Sequence, residues 1–323
     1  MKIYLSVTID TECDKGTGWR VKHPLSFTNV YDGVVNLLQP LFDKHGIRAT
    51  YLLSPEVMRD QKSLDIFTQI SSKAELGTHL HSEFIEPESN YTAETTNEYQ
   101  HLLAPEIESQ KLLNLTSLFA ESFGFAPKSF RAGRFSVGIN TLKTLEKLGY
   151  TVDGSVTPDI WWQNSVGEYI NFMGAPYTPY HPSSKDLRVK GDLKIIEFPV
   201  STINPRLRYV PKSIKKAISL SNRYKHILFN LLTGFYKPLW LRPTYSNLED
   251  MKRLINYYPK RESIFLSIMF HSNEFTPNTS PYSKSEEDVK VFTERLESLL
   301  HWLKVEHNCT FIGMSQIADY EID

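Results

Sequence analysis

Short apolar runs recur along the chain and alternate with longer stretches whose apolar positions have helical spacing. Residues 3–9 place Ile3, Leu5, Val7 and Ile9 at alternate positions, the period of a strand, and a polar, glycine-containing loop follows over 10–17. Residues 34–45 carry Val35, Leu38, Leu41 and Phe42 at helical intervals, and Gly46 is placed to stop that helix. The pattern then predicts a strand at 50–53, a helix at 64–70 and a short strand ending at His79. A long amphipathic helix spans 94–123, broken or started afresh near Pro105. A strand into Arg131, a helix over 140–148 and strands over 150–153 and 193–200 come next. An apolar strand at 264–270, a helix at 286–305 and a last strand at 310–312 complete the reading. Strand and helix alternating in this way define an α/β fold with parallel strands, either open or closed into a barrel.

In either form ligands bind at the carboxyl ends of the strands. Asp10, His79, Arg131 and Asp153 all fall just after expected strands, and His271 ends the apolar run 264–270. His79 and His81 are two positions apart, so in an extended segment both rings project to one side and can chelate a metal; the plain alternative is two surface histidines flanking a leucine. Asp10 and Glu12 flank Thr11 in the same way, and paired carboxylates can divide metal ligation from general-base work, although an Asp in this position also builds turns. His271 stands beside Ser272 and Glu274, as a general acid or as a histidine satisfied at the core edge. Arg131 and Arg134 surround Gly133, with surface salt bridging as their ordinary role. Two other motifs fail: Ser136 comes one residue too late for a nucleophile elbow, and Lys15-Gly16-Thr17-Gly18 lacks the third glycine of a dinucleotide fingerprint.

Composition changes the picture in the middle of the chain. Residues 161–190 are rich in Pro, Tyr, Gly and Ser and read as a long, ordered, substrate-facing connection. Between Phe198 and Leu248 there are nine Lys or Arg residues and no Asp or Glu, and 212–232 can form a basic amphipathic helix. That helix is a solvated face, or else an anionic-glycan or membrane-surface contact. With 36 basic and 37 acidic residues overall, a general nucleic-acid binder is disfavoured, since such proteins need a strong positive field. Two distant cysteines, Cys13 and Cys309, fit a reducing compartment. With no secretory signal and no run of about 20 apolar residues, a cytoplasmic protein of one elaborated domain over 1–323 is expected.

Taken in order, Thr8-Ile9-Asp10-Thr11-Glu12, Gly77-Thr78-His79-Leu80-His81, Phe130-Arg131-Ala132-Gly133-Arg134, Gly149-Tyr150-Thr151-Val152-Asp153, Glu197-Phe198-Pro199-Val200-Ser201 and Phe270-His271-Ser272-Asn273-Glu274 resemble the polysaccharide deacetylase family of carbohydrate esterases. They are most similar to its divergent branch associated with bacterial surface-polysaccharide and exopolysaccharide loci. The resemblance implies a distorted (β/α) barrel, here with a long basic insertion at about 205–245, and metal-dependent removal of an N- or O-acetyl group from a sugar or polysaccharide precursor. It implies Asp10 as catalytic base, Arg131 as the residue that orients it and His271 as general acid. The metal, zinc or else cobalt, nickel or manganese, falls to Glu12, His79 and His81. Two departures stand out: Thr11 separates the two carboxylates, and Glu83 occupies the place of the usual second histidine, so that either His81 substitutes for it or Glu83 ligates. Substrate contacts are expected from Glu83, Arg134, Trp161-Trp162, Tyr180-His181 and Trp240-Leu241-Arg242-Pro243, since sugars stack on aromatic faces and arginine reads anionic or hydroxyl groups. The alternatives are a glycan-binding pseudoenzyme on the same fold and a hydrolase of a non-sugar C–N bond.

Overall fold

A computed structural model describes residues 2–89, 99–163, 169–211, 213–215, 238–258 and 261–322. Its strands are β1 (Lys2–Thr11), β2 (Thr50–Leu53), β3 (Glu75–Leu80), β4 (Ser129–Ala132), β5 (Val152–Asp153), β6 (Trp161–Gln163), β7 (Tyr169–Asn171), β8 (Ile196–Glu197), β9 (Thr202–Ile203), β10 (Leu239–Trp240), β11 (Ser263–His271) and β12 (Thr310–Phe311). Eight of them form one sheet in the order β11-β1-β2-β3-β4-β5-β8, with β12 also on β1, and every pair in it is parallel. The curled sheet is closed by something other than a ladder. Beyond β8, the Ser201 N–H donates to the Ser267 carbonyl of β11 at 3.0 Å, and the Ser267 N–H donates to Ser201 Oγ at 2.9 Å. The result is a distorted (β/α) barrel.

The helices are α1 (Gln39–His45), α2 (Pro55–Arg59), α3 (Gln61–Ile70), α4 (Pro105–Phe123), α5 (Ile139–Lys147), α6 (Leu248–Tyr257) and α7 (Glu286–His307), with a further helical segment, Asn29–Leu38, leading into α1. Alternation along β1 sorts its residues. Ile3, Leu5, Val7 and Ile9 join the large apolar cluster shared with the helices, while Tyr4, Thr8 and Asp10 face the barrel interior. The lower interior is an apolar plug of Leu52, Val152, Ile196 and Phe198 against Met314 and Ile317. The upper interior is polar. That division leaves the chemistry-bearing side chains at the carboxyl ends of the strands, above a dry floor.

Most expected elements are present, and the departures have local causes. The helix expected over 94–123 begins at Pro105, which occupies its first turn after an extended Ala104 (ψ 137°); part of the expected stretch lies outside the described residues. The strand expected over 193–200 narrows to Ile196–Glu197, where Glu197 bridges Tyr180 and Pro199 has no N–H to extend the ladder. The connection 161–190 contains the β6–β7 hairpin. α2 and α6 were not expected; each is short, and α6 is capped by Asn247, which accepts from the Asp250 N–H at 2.8 Å. The basic helix expected over 212–232 falls largely outside the described residues. No helix among the described residues is long and apolar enough to cross a membrane.

One glycine sets how closely two strands can approach. A methyl group at Gly77 of β3 meets the Ser129 carbonyl oxygen of β4 at 2.6 Å and Leu52 Cδ2 of β2 at 2.8 Å. Backbone on one side and packed core on the other leave no room to yield. Gly77→Ala is expected to destabilise the protein by about 1–3 kcal/mol through overpacking, measured as a lower midpoint in urea denaturation. An unchanged midpoint refutes the close-packing argument.

Candidate active site

Strand register assembles the site. Asp10 of β1 lies opposite His271 of β11, and His79 of β3 lies opposite Arg131 of β4. Glu12, one residue past β1, reaches across: its Oε1 is 3.0 Å from His79 Nε2, 2.8 Å from His81 Nε2 and 3.9 Å from His271 Nε2. Asp10 receives the Arg131 guanidinium at 2.7 Å, and its other oxygen is 4.0 Å from His271 Nε2. The ligand atoms of Glu12, His79 and His81 all lie within 4.8 Å of one another, and all three residues are buried.

The hydrogen bonds behind the two histidines decide whether a metal fits. His79 Nδ1 is 3.0 Å from the Arg131 carbonyl oxygen, which can only accept. The ring hydrogen therefore sits on Nδ1, and Nε2 turns its lone pair toward Glu12. On the far side of His81, Glu83 Oε1 is 3.4 Å from Nδ1, and Arg134 holds that same oxygen at 2.7 Å. The His79 lone pair thus faces a carboxylate oxygen, an arrangement that a cation or an added proton between them would relieve, while His81, whose Nδ1 makes no hydrogen bond, can donate from Nε2 to the same oxygen. The same demand appears in the titration of His81: burial and Lys15 depress its pKa, but Glu12 and Glu83 outweigh them and raise it. This donor set fits a divalent metal such as zinc. Glu83 supports His81 from behind instead of joining the convergent set.

Two partners were missed by sequence reasoning. Lys15, buried, pairs with Glu12 Oε2, leaving Oε1 to the histidines. Its only sequence signal is its place three residues after Glu12, which in an irregular loop fixes no direction. The second is Glu274, which accepts from the His271 backbone N–H at 2.9 Å, lies 3.0 Å from His271 Nδ1 and is paired with Arg242. Thr244 donates to its other oxygen at 2.6 Å. With Nδ1 held by Glu274, His271 presents Nε2 to the gap facing Asp10 and Glu12.

Burial works against each of these carboxylates, and the neighbouring cations prevail. Arg131 holds Asp10 below its usual range; Lys15 and His81 do so more strongly for Glu12. Arg242 and His271 bring Glu274 down to about 2. Beneath Arg131 the opposite holds: burial raises Asp153, and burial together with the neighbouring Asp153 carboxylate raises Glu197 further. Arg131 itself is fully buried and donates to the Gly154 carbonyl at 2.7 Å and to Thr8 Oγ1 at 2.8 Å.

Above the site opens a cleft of about 750 Å³, lined by Asp10, Glu12, His79, His81 and His271 and walled by aromatic side chains including Trp19, Trp162, Tyr245 and Tyr282. Of the expected substrate contacts, Arg134 and Arg242 line the cleft. Trp161 does not; its neighbour Trp162 does, stacked on Phe135 at 5.2 Å. Adjacent residues of a strand face opposite ways, so sequence alone could not choose between them. Tyr180 is fully buried away from the cleft, donating from its hydroxyl to the Leu187 carbonyl at 2.6 Å. Trp240 is buried in the core against Trp162 and Tyr245.

No family model and no curated protein matches the sequence, whereas solved structures do. A Parabacteroides distasonis protein assigned as a glycoside hydrolase/deacetylase is 12% identical, over 98% of this chain and 70% of its own, with a TM-score of 0.61. Puue allantoinase is 15% identical, over 98% of this chain and 89% of its own, with a TM-score of 0.53. A Mycobacterium smegmatis protein assigned as a polysaccharide deacetylase is 12% identical, over 98% and 89%, with a TM-score of 0.48. At such identities the likeness to the first two establishes the fold alone: the distorted (β/α) barrel of the polysaccharide deacetylase type.

The Arg242–Glu274 pair makes a pH prediction. The Glu274 carboxyl lies lower in the folded chain, about 2, than its ordinary 4.5. Its stabilisation is therefore complete above pH 4.5 and is lost as pH falls toward 2. Glu274→Gln leaves a buried guanidinium without its carboxylate and is expected to cost about 3 kcal/mol at neutral pH. The difference between wild type and variant should shrink on acidification, measured by urea denaturation across this range; a constant difference contradicts the assignment.

Proposed function

We propose that the chain is a divergent polysaccharide deacetylase: a metal-dependent hydrolase that removes an N- or O-linked acetyl group from a sugar of a bacterial polysaccharide or its precursor. The observation that carries this reading is the convergence of Glu12, His79 and His81 on one point, with Asp10 and His271 facing each other beside it. In this reading 1–323 is one catalytic domain with 205–245 as an insertion. The excess of lysines and arginines over 206–242, of which Lys215 and Arg242 are themselves buried in ion pairs, supports transient contact with an anionic membrane surface.

A divalent cation held by Glu12, His79 and His81 supplies Lewis acidity and eases deprotonation of water. Asp10, kept ionised by Arg131, accepts the proton of the attacking water. Lys15 fixes Glu12 through its second oxygen, so that the first stays aimed at the histidines. His271, braced through Nδ1 by Glu274, delivers a proton from Nε2 to the leaving nitrogen or oxygen. The aromatic walls exclude water and offer faces on which sugar rings stack.

A second reading, hydrolysis of a ring amide, is favoured by the structural likeness to Puue allantoinase. Acetate release from acetylated sugars, and ring opening of cyclic amides, should be screened with zinc, cobalt, nickel or manganese added. The expected result is about one metal ion per chain by elemental analysis, with acetate as product. His79→Ala should lose both metal and activity. Asp10→Asn should keep the metal and lose activity by about 10²–10⁴-fold. A wild-type protein that binds none of these metals and releases no acetate refutes the hydrolase reading and leaves a glycan-binding protein.

A further inference from the structure

The loop leaving β1 carries a group that the proposed chemistry does not use. The Trp19 N–H donates to the Gly16 carbonyl at 3.2 Å and the Arg20 N–H to the Lys15 carbonyl at 2.8 Å, closing a compact turn. Trp19 sits at φ 55°, in the left-handed region that a bulky side chain rarely adopts. Backbone held in this way is found where the surrounding structure fixes a functional geometry. Here the turn sets the Trp19 ring edge-on to His271 at 4.9 Å and to Tyr282 at 5.8 Å. Arg20, the next residue, lines the same cleft and is exposed.

Of the cations in and around the cleft, one stands apart from the carboxylates. Each of the other cations is matched: Arg131 by Asp10, Lys15 by Glu12, Arg134 by Glu83 and Arg242 by Glu274. Arg20 lines the cleft with its guanidinium making no hydrogen bond or ion pair among the described residues. A neutral sugar would offer the Arg20 guanidinium no opposing charge, beside the aromatic wall of the cleft.

We propose that Arg20 recognises an anionic oxyacid group on the substrate, so that the acetylated sugar belongs to an acidic glycan or a phosphorylated precursor. The planar guanidinium takes a carboxylate or a phosphate oxygen pair with two parallel N–H donors, while Trp19 packs against the sugar. This inference rests on the deacetylase reading for its substrate class, but its anion site is testable without turnover.

Three probes separate the cases: an N-acetylated oligosaccharide containing hexuronic acid, an N-acetylhexosamine 1-phosphate, and a neutral N-acetylated oligosaccharide of equal length. Wild type, Arg20→Gln and Arg20→Lys are compared by acetate release and, independently, by isothermal titration calorimetry. Wild type should favour at least one anionic probe over the neutral one by about tenfold, the worth of a charge-assisted pair. That ratio should fall to near one in Arg20→Gln and recover in part in Arg20→Lys, which keeps the charge but not the fork. The preferred anion identifies its source as carboxylate or phosphate. Should binding show this loss while no probe yields acetate, the anion site stands and the deacetylase reading falls. Equal handling of acidic and neutral probes by wild type, or a ratio unchanged in Arg20→Gln, overturns the proposal, and any acetate released then leaves the deacetylase reading intact.

Discussion

The upper half of the barrel depends on one desolvated guanidinium. Arg131 is fully buried, and a cation there is tolerable only if its donors are met and an opposing charge is near. It meets both conditions by reaching the Gly154 carbonyl beyond β5 and Thr8 and Asp10 on β1, so one side chain from β4 ties β1 to the end of β5. Its own carbonyl fixes the tautomer of His79. Asp10, His79 and the barrel wall are thus set by a single residue.

Around it the charges alternate in layers. The Asp153–Glu197 pair lies below, where burial, and for Glu197 the neighbouring Asp153 carboxylate, disfavour ionisation. Arg131 comes next, then Asp10 and Glu12, then the histidines and Lys15. Each layer compensates the one beneath it, which allows so many polar groups to be buried above an apolar floor. On the other side of the cleft Arg242 and Glu274 play the same part for His271.

The fold was legible because its signals are local. Alternation in β1, the continuous apolar run of β11 and the left-handed Gly46 after α1 are read directly from neighbouring residues. The rim residues Asp10, Glu12, His79, Arg131 and His271 were legible for a related reason: strand ends and two-residue spacings determine which way they point. Lys15, Glu274 and the choice of Trp162 over Trp161 were not, because loop conformation and long-range packing decide them. The segment 161–190 shows the limit from the other side. Its composition marked a connection, but nothing in it told that Tyr180 would pair with Glu197 and disappear into the core.

The manner in which the barrel closes has a bearing on how such a chain can grow. Where β8 and β11 would meet, Ser201 joins Ser267 through a backbone bond and a side-chain bond in place of a ladder. Immediately beyond, β9 and β10 pair antiparallel, Ile203 with Leu239 and Thr202 with Trp240, so the chain leaves and re-enters the barrel at one point. With the two ends already clasped, the length of the chain between them is almost immaterial to the barrel, since the entropy of closing a loop rises only with the logarithm of its length. The seam is therefore a docking port for new sequence: segments can be lengthened, shortened or exchanged there without altering the register that aligns the rim.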